Sequence, residues 1–124
     1  MEQAFFEFNS KLDTEFLNSI YEDDKEHAGM VFEQFLQSIG MQLTEIENSY
    51  NSGDAEFFRK KIHKIKPVLS FVGLTSLTQQ AEVIEKKCHE TTELKNLSDL
   101  YTGFKNKLEE MIPVVEGDLV KLKA

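Results

Sequence analysis

The chain has 124 residues, with 22 acidic against 14 basic side chains and a formal charge of −8. This length accommodates one domain with one hydrophobic core, and is too short for an ATP-dependent catalytic domain with a second module attached. An isoelectric point near 4.9 argues against nucleic acid and anionic membrane as partners, and no apolar run approaches the ~18 residues needed to span a bilayer. The single Cys88 excludes an internal disulfide and a multi-cysteine zinc site. The amino end lacks the layout of a secretory leader, so a cytoplasmic protein is expected.

With only two prolines and six glycines, and apolar residues recurring at three and four, the pattern predicts an all-α fold. Met1 to Leu12, carrying Phe5, Phe6 and Phe8, reads as an arm that lays its rings on the body; the ten phenylalanines are expected to supply most of the large core side chains. Asp13 or Thr14 caps a short helix through about Tyr21, with Phe16, Leu17 and Ile20 inward. After a turn at Glu22-Asp23-Asp24, Asp23 with Glu26 forms a capping-box start for a long helix to about Tyr50. Its apolar stripe is Val31, Phe32, Phe35, Ile39, Leu43, Ile46 and Tyr50.

Asn51-Ser52-Gly53 is a turn, and Asp54 caps a helix expected to run to about Val72 and stop at Gly73. This helix carries Arg59-Lys60-Lys61-Ile62-His63-Lys64-Ile65-Lys66-Pro67, one histidine among five cations in an acidic protein. At roughly 100° per residue, Arg59, His63, Lys66, Pro67 and Ser70 share one stripe, opposite Phe58, Ile62, Ile65, Leu69 and Val72. An outward imidazole flanked by cations is expected to have a lowered proton affinity and to tolerate an acquired anion, which suits a phosphoryl group. Pro67 removes the donor for the carbonyl of His63, predicting a mild kink beside the imidazole.

Thr75 or Ser76 starts a fourth helix with Leu77, Ala81, Ile84 and Cys88 inward, and Thr91 to Asn96 reads as a connection. A last helix carries Leu97, Tyr101, Phe104, Leu108, Met111, Val115, Leu119 and Leu122 on one stripe, with a kink expected at Pro113. These lengths fit an antiparallel four-helix bundle with an additional short N-terminal helix, as one domain over residues 1–124 with residues 1–11 as the arm.

His63-Lys64-Ile65-Lys66-Pro67, followed by Val72-Gly73-Leu74, Leu77 and Ile84-Glu85, resembles the signature of histidine-containing phosphotransfer (HPt) domains. The similarity extends through Asn51-Ser52-Gly53-Asp54-Ala55 and covers about residues 12–122. Pro67 departs from the glycine most often found there. The resemblance implies that His63 accepts a phosphoryl group from the aspartyl phosphate of one receiver domain and passes it to the aspartate of another in a multistep two-component phosphorelay. No ATP site or autonomous kinase activity is implied, and Mg²⁺ belongs to the receiver. Within it, Lys66 stabilises the transferred phosphoryl, and Glu85 accepts the Nδ1 hydrogen and orients the imidazole. Arg59, Lys64, Pro67 and Ser70 form the partner-binding set. The implied partners are response-regulator receiver domains and a hybrid sensor histidine kinase, with the chain itself a monomer.

Two other classes compete. A helical adaptor that binds a signalling protein without phosphorylation would share the bundle, and only His63 separates the two readings. A di-metal helical oxidase needs inward carboxylates and Glu-x-x-His pairs, and the sequence has no such pair. P-loop and metalloprotease signatures are absent as well, and neither His27 nor His89 lies in a comparable pattern.

Overall fold

The computed structural model describes residues 6–124. Five α-helices follow one another: α1 (Thr14–Tyr21), α2 (Lys25–Asn51), α3 (Ala55–Ser70), α4 (Thr75–Cys88) and α5 (Ser98–Leu122), with a short 3-10 segment, Leu94–Leu97, leading into α5. No strand occurs among the described residues. α2 packs on α3, α3 on α4, α4 on α5, and α5 back on α2. Short connections at 52–54 and 71–74 make the helices they join antiparallel, giving the four-helix bundle with α1 laid across one end. No helix of the described residues is long and apolar enough to cross a membrane.

Three aspartates start helices. Asp13 Oδ1 accepts from Phe16 N at 3.1 Å, and Asp54 Oδ1 accepts from Glu56 N and Phe57 N, both at 3.1 Å. At α2 the cap is Asp24, which accepts from His27 N at 3.0 Å, and not the expected Asp23. The reason is the turn itself: Glu22 and Asp23 both take positive φ, 45° and 72°, so helical geometry cannot begin before Lys25. Each such cap stabilises its helix by about 1 kcal/mol.

The core is built from the expected helix faces. Phe58, Ile62, Ile65 and Leu69 of α3 are buried, as are Leu77, Ala81, Ile84 and Cys88 of α4, and Tyr101, Phe104, Leu108, Met111, Val115 and Leu122 of α5. The phenylalanines are more divided than composition suggested. Phe8, Phe32, Phe35, Phe58 and Phe104 are buried, whereas Phe57 and Phe71 stand exposed at the two ends of α3. Helix α5 continues through Pro113, and α3 continues through Pro67 but ends at Ser70 rather than Val72. Gly73, at φ +79°, makes the turn, and a Cβ there would lie 2.7 Å from Leu17 Cδ1, so only glycine allows this approach.

Helix α1 fixes the α3–α4 turn beside which the histidine helix ends. Asp13 N donates to Gly73 O at 2.8 Å, the Thr75 hydroxyl donates to Asp13 Oδ2 at 2.6 Å, and the Tyr21 hydroxyl donates to Phe71 O at 2.7 Å. The Thr75 hydroxyl bond, followed by that from Phe16 N, holds the Asp13 carboxyl below its ordinary value. The arm packs as expected for its described part. Phe8 is buried with its ring centroid 5.8 Å from that of Phe32 and 6.4 Å from that of Tyr21, and Phe6 meets Phe8 edge-on at 4.8 Å. Phe5, also assigned to this arm, lies outside the described residues. Asn9 N donates to Asp118 Oδ2 at 2.8 Å, a link across 109 residues to a fully buried carboxylate on α5.

Candidate functional site

Helix α3 buries Phe58, Ile62, Ile65 and Leu69, and that choice turns His63 outward. The His63 side chain is 64% exposed. Burial of Ile84 and Cys88 on α4 leaves Glu82 and Glu85 at the seam with α3. Glu85 is the centre of the arrangement and only 14% exposed: its Oε2 lies 2.6 Å from His63 Nδ1 and 3.7 Å from Arg59 Nη1, and its Oε1 lies 2.6 Å from Lys66 Nζ.

The outer carboxylates complete the network. Lys66 Nζ also meets Glu82 Oε2 at 2.8 Å. Arg59 makes a forked pair with Glu56, at 2.6 Å and 3.2 Å. Two cations therefore share three carboxylates around one imidazole. The carboxylate expected at Nδ1 is in place, and what the reading of the cationic stripe left out is that Arg59 and Lys66 lean toward acids, Glu82 and Glu85 among them, that the turn between α3 and α4 brings alongside.

Partial burial opposes ionisation of Glu85, but hydrogen bonds from Lys66 and His63 outweigh it and hold the carboxyl below its ordinary value. Lys66 is shifted the other way, upward, first by its bond to Glu82 and then by its bond to Glu85. At neutral pH Glu85 is thus ionised and can only accept. The 2.6 Å contact then requires a hydrogen on Nδ1, and in the neutral form of the ring the lone pair is the one on Nε2, away from Glu85.

The remaining residues singled out in the sequence divide by position. Pro67 and Lys64 are exposed beside His63, and Ser70 is half-buried one turn further on. Lys61 points to the other seam, 3.4 Å from Glu45 of α2, with its ammonium 5.6 Å from the Phe57 ring. Cys88 is buried, and desolvation pushes its thiol up to about 11, so it is no nucleophile. Among the described residues no cluster of histidine, cysteine and acidic side chains could hold a metal. Glu82 was missed by sequence reasoning; its signal was the spacing to Glu85, which puts both carboxylates on the same side of α4.

The histidine thus stands on the surface of a helical bundle, held through one nitrogen by a carboxylate of the next helix. The model of the Hpt domain family matches residues 30–116, from within α2 to within α5, and the chain belongs to that family. It is also similar to the phosphorelay intermediate protein rdeA of Dictyostelium discoideum, with 25% identity over 105 residues. That alignment covers 85% of this chain and 41% of the relative, so the chain spans about two fifths of the relative's length. No solved structure gave a significant match. Hpt domains are helical bundles that carry phosphoryl groups on histidine in phosphorelays, as carriers rather than kinases.

Proposed function

We propose that His63 is the phosphoacceptor and that the chain relays a phosphoryl group between receiver-domain aspartates. The observation that carries this reading is the pairing of Nδ1 with Glu85 in a side chain that is otherwise 64% exposed. A neutral imidazole fixed in this way offers one lone pair, on Nε2, to an incoming phosphorus.

In the forward step the Nε2 lone pair forms a bond to phosphorus while the bond from phosphorus to the receiver's aspartyl oxygen breaks. The carboxylate leaves with that electron pair. The imidazole, which keeps its Nδ1 hydrogen, becomes cationic, and the adjoining Glu85 carboxylate stabilises that charge. The reverse step, with a second receiver, restores the neutral ring. Phosphoryl transfer of this kind depends on positioning and charge neutralisation more than on covalent help. The Mg²⁺ and acidic pocket are supplied by the receiver, and this chain supplies the nucleophile.

Lys66 stands on the same seam and shares Glu85 with His63, so its ammonium is the cation we assign to the phosphoryl oxygens. Arg59, clamped by Glu56, serves orientation and binding. A receiver docks over His63, Lys64, Pro67 and Ser70, and a hybrid sensor kinase is the upstream donor. The test is incubation with a phosphorylated receiver domain, followed by mapping of acid-labile phosphate. Phosphate on His63, and none on a His63→Gln chain, is the expected result. Binding of the receiver without any transfer would instead leave a plain adaptor.

A further inference from the structure

Lys66 does not wait free for a phosphoryl group. Its Nζ is held between Glu82 Oε2 at 2.8 Å and Glu85 Oε1 at 2.6 Å, and its side chain is only 18% exposed. The two carboxylates are not equivalent. Glu85 is mostly buried and also engages His63, whereas Glu82 is about half exposed, at 49%, and among the described residues Lys66 is the only cation within ion-pair distance of it. Glu85 therefore stays with the histidine when charge is added, and the bond to Glu82 is the one that can open.

We infer that Glu82 is a positioning residue that holds Lys66 in the unphosphorylated protein and gives it up to the phosphoryl group on His63. The inference rests on His63 as phosphoacceptor. A phosphoryl on Nε2 brings up to two negative charges to the open side of a ring whose other nitrogen meets the Glu85 carboxylate that Lys66 shares, within the sweep of the long Lys66 side chain. A long, flexible ammonium can then exchange one oxyanion for another at little conformational cost. Glu82 acts against the phosphohistidine in two ways: it competes for Lys66, and its own charge repels the phosphoryl oxygens. Both effects keep the group from resting too stably on His63, which is useful in a carrier that must give it away.

The experiment uses the full chain phosphorylated with phosphoramidate, which needs no protein partner, and follows the ³¹P resonance of phospho-His63 against pH. In Glu82→Gln the dianion loses a repelling charge and gains a freer Lys66. Its titration midpoint should fall by about half a pH unit relative to wild type, and the phosphohistidine should hydrolyse more slowly. Glu82→Asp, which keeps the charge, should restore most of the wild-type midpoint. In a Lys66→Ala background the Glu82→Gln shift should shrink to less than half, because the competition is gone and only the field remains. A merely structural role for Glu82 would change melting temperature without moving this titration. An unchanged midpoint in Glu82→Gln, or a shift of equal size without Lys66, overturns the inference alone. A wild-type chain that takes no phosphoryl on His63 overturns the inference together with the reading beneath it.

Discussion

Glu85 and Asp118 are both carboxylates drawn into the bundle, and they differ in what surrounds them. Glu85 keeps 14% of its side chain exposed and gathers His63, Lys66 and Arg59 from the neighbouring helix. Asp118 is fully buried, accepts one backbone hydrogen from Asn9 of the arm, and has Lys121 Nζ 3.4 Å from its other oxygen. The first network consists of side chains at a solvent-facing seam and can rearrange when charge arrives. The second ties a chain segment to the core and has nowhere to move. Partial burial with several mobile partners makes a site, whereas full burial with a backbone partner makes a fastening.

The sharpest break of this comparison is substitution on each side. His63→Gln should abolish phosphoryl acceptance while changing folding free energy by no more than about 0.5 kcal/mol, because the side chain is exposed. A transfer assay read beside denaturant unfolding checks both halves. Asp118→Ala should do the reverse. Leaving the partly buried Asn9 donor without its partner costs about 1 kcal/mol, and the transfer rate of the folded fraction should stay at wild type. If Asp118→Ala impaired transfer at full folding, the two regions would not be separable.

Within the site, Lys66→Ala should slow transfer or shorten the phosphohistidine lifetime by about tenfold, the loss of roughly one charge-assisted hydrogen bond of 1.4 kcal/mol. Lys61→Ala removes equal charge but points to Glu45 on the opposite seam, and should change the rate less than about twofold. Similar effects from the two changes would mean that the cations act as a general field and that Lys66 has no local role.

A smaller effect is expected with pH. The Glu85 carboxyl is lower in the folded protein than its ordinary 4.5, so its stabilisation is present above that value and is lost as pH falls through the depressed one. Lys66 is raised above its ordinary 10.5, so its contribution is present below that value and is lost only as pH rises through the raised one. The stability difference between wild type and Glu85→Gln, about 1 kcal/mol for partly buried pairs, should therefore hold across neutral pH and fade in acid. Melting curves of the two proteins at matched pH read this directly.

Most of the helices were legible because burial imposes a period on the sequence. The α3 face of Phe58, Ile62, Ile65 and Leu69 fixes where His63 must point, and Asp13 and Asp54 announce helix starts by the donors they satisfy. What the period does not encode is the register between two helices. The pairing of Lys66 with Glu82 and Glu85 depends on the turn at Gly73 and its fastening to Asp13 and Tyr21, contacts far apart in sequence. Hence Glu85 was foreseen through family resemblance, while Glu82 and the neutralisation of the cations were not. Asp118 left a readable trace. It falls three residues after Val115 and four before Leu122, a polar side chain in a buried stripe that also contains Phe104, Leu108 and Met111. Leu97 is inward as its place on the last apolar stripe predicts, but it closes a 3-10 turn that begins inside the connection expected over Thr91–Asn96, and Leu94 of that connection enters the core with it.

The central claim is that Glu85 holds the Nδ1 hydrogen and leaves Nε2 as the nucleophile. Nitrogen-15 labelling of the histidines, with phosphorus coupling measured on the phosphorylated chain, identifies the bonded atom. The account predicts a single phosphohistidine, at His63, with phosphorus on Nε2 and the hydrogen retained on Nδ1. Phosphorus on Nδ1, or a phosphohistidine at His27 or His89, would contradict it.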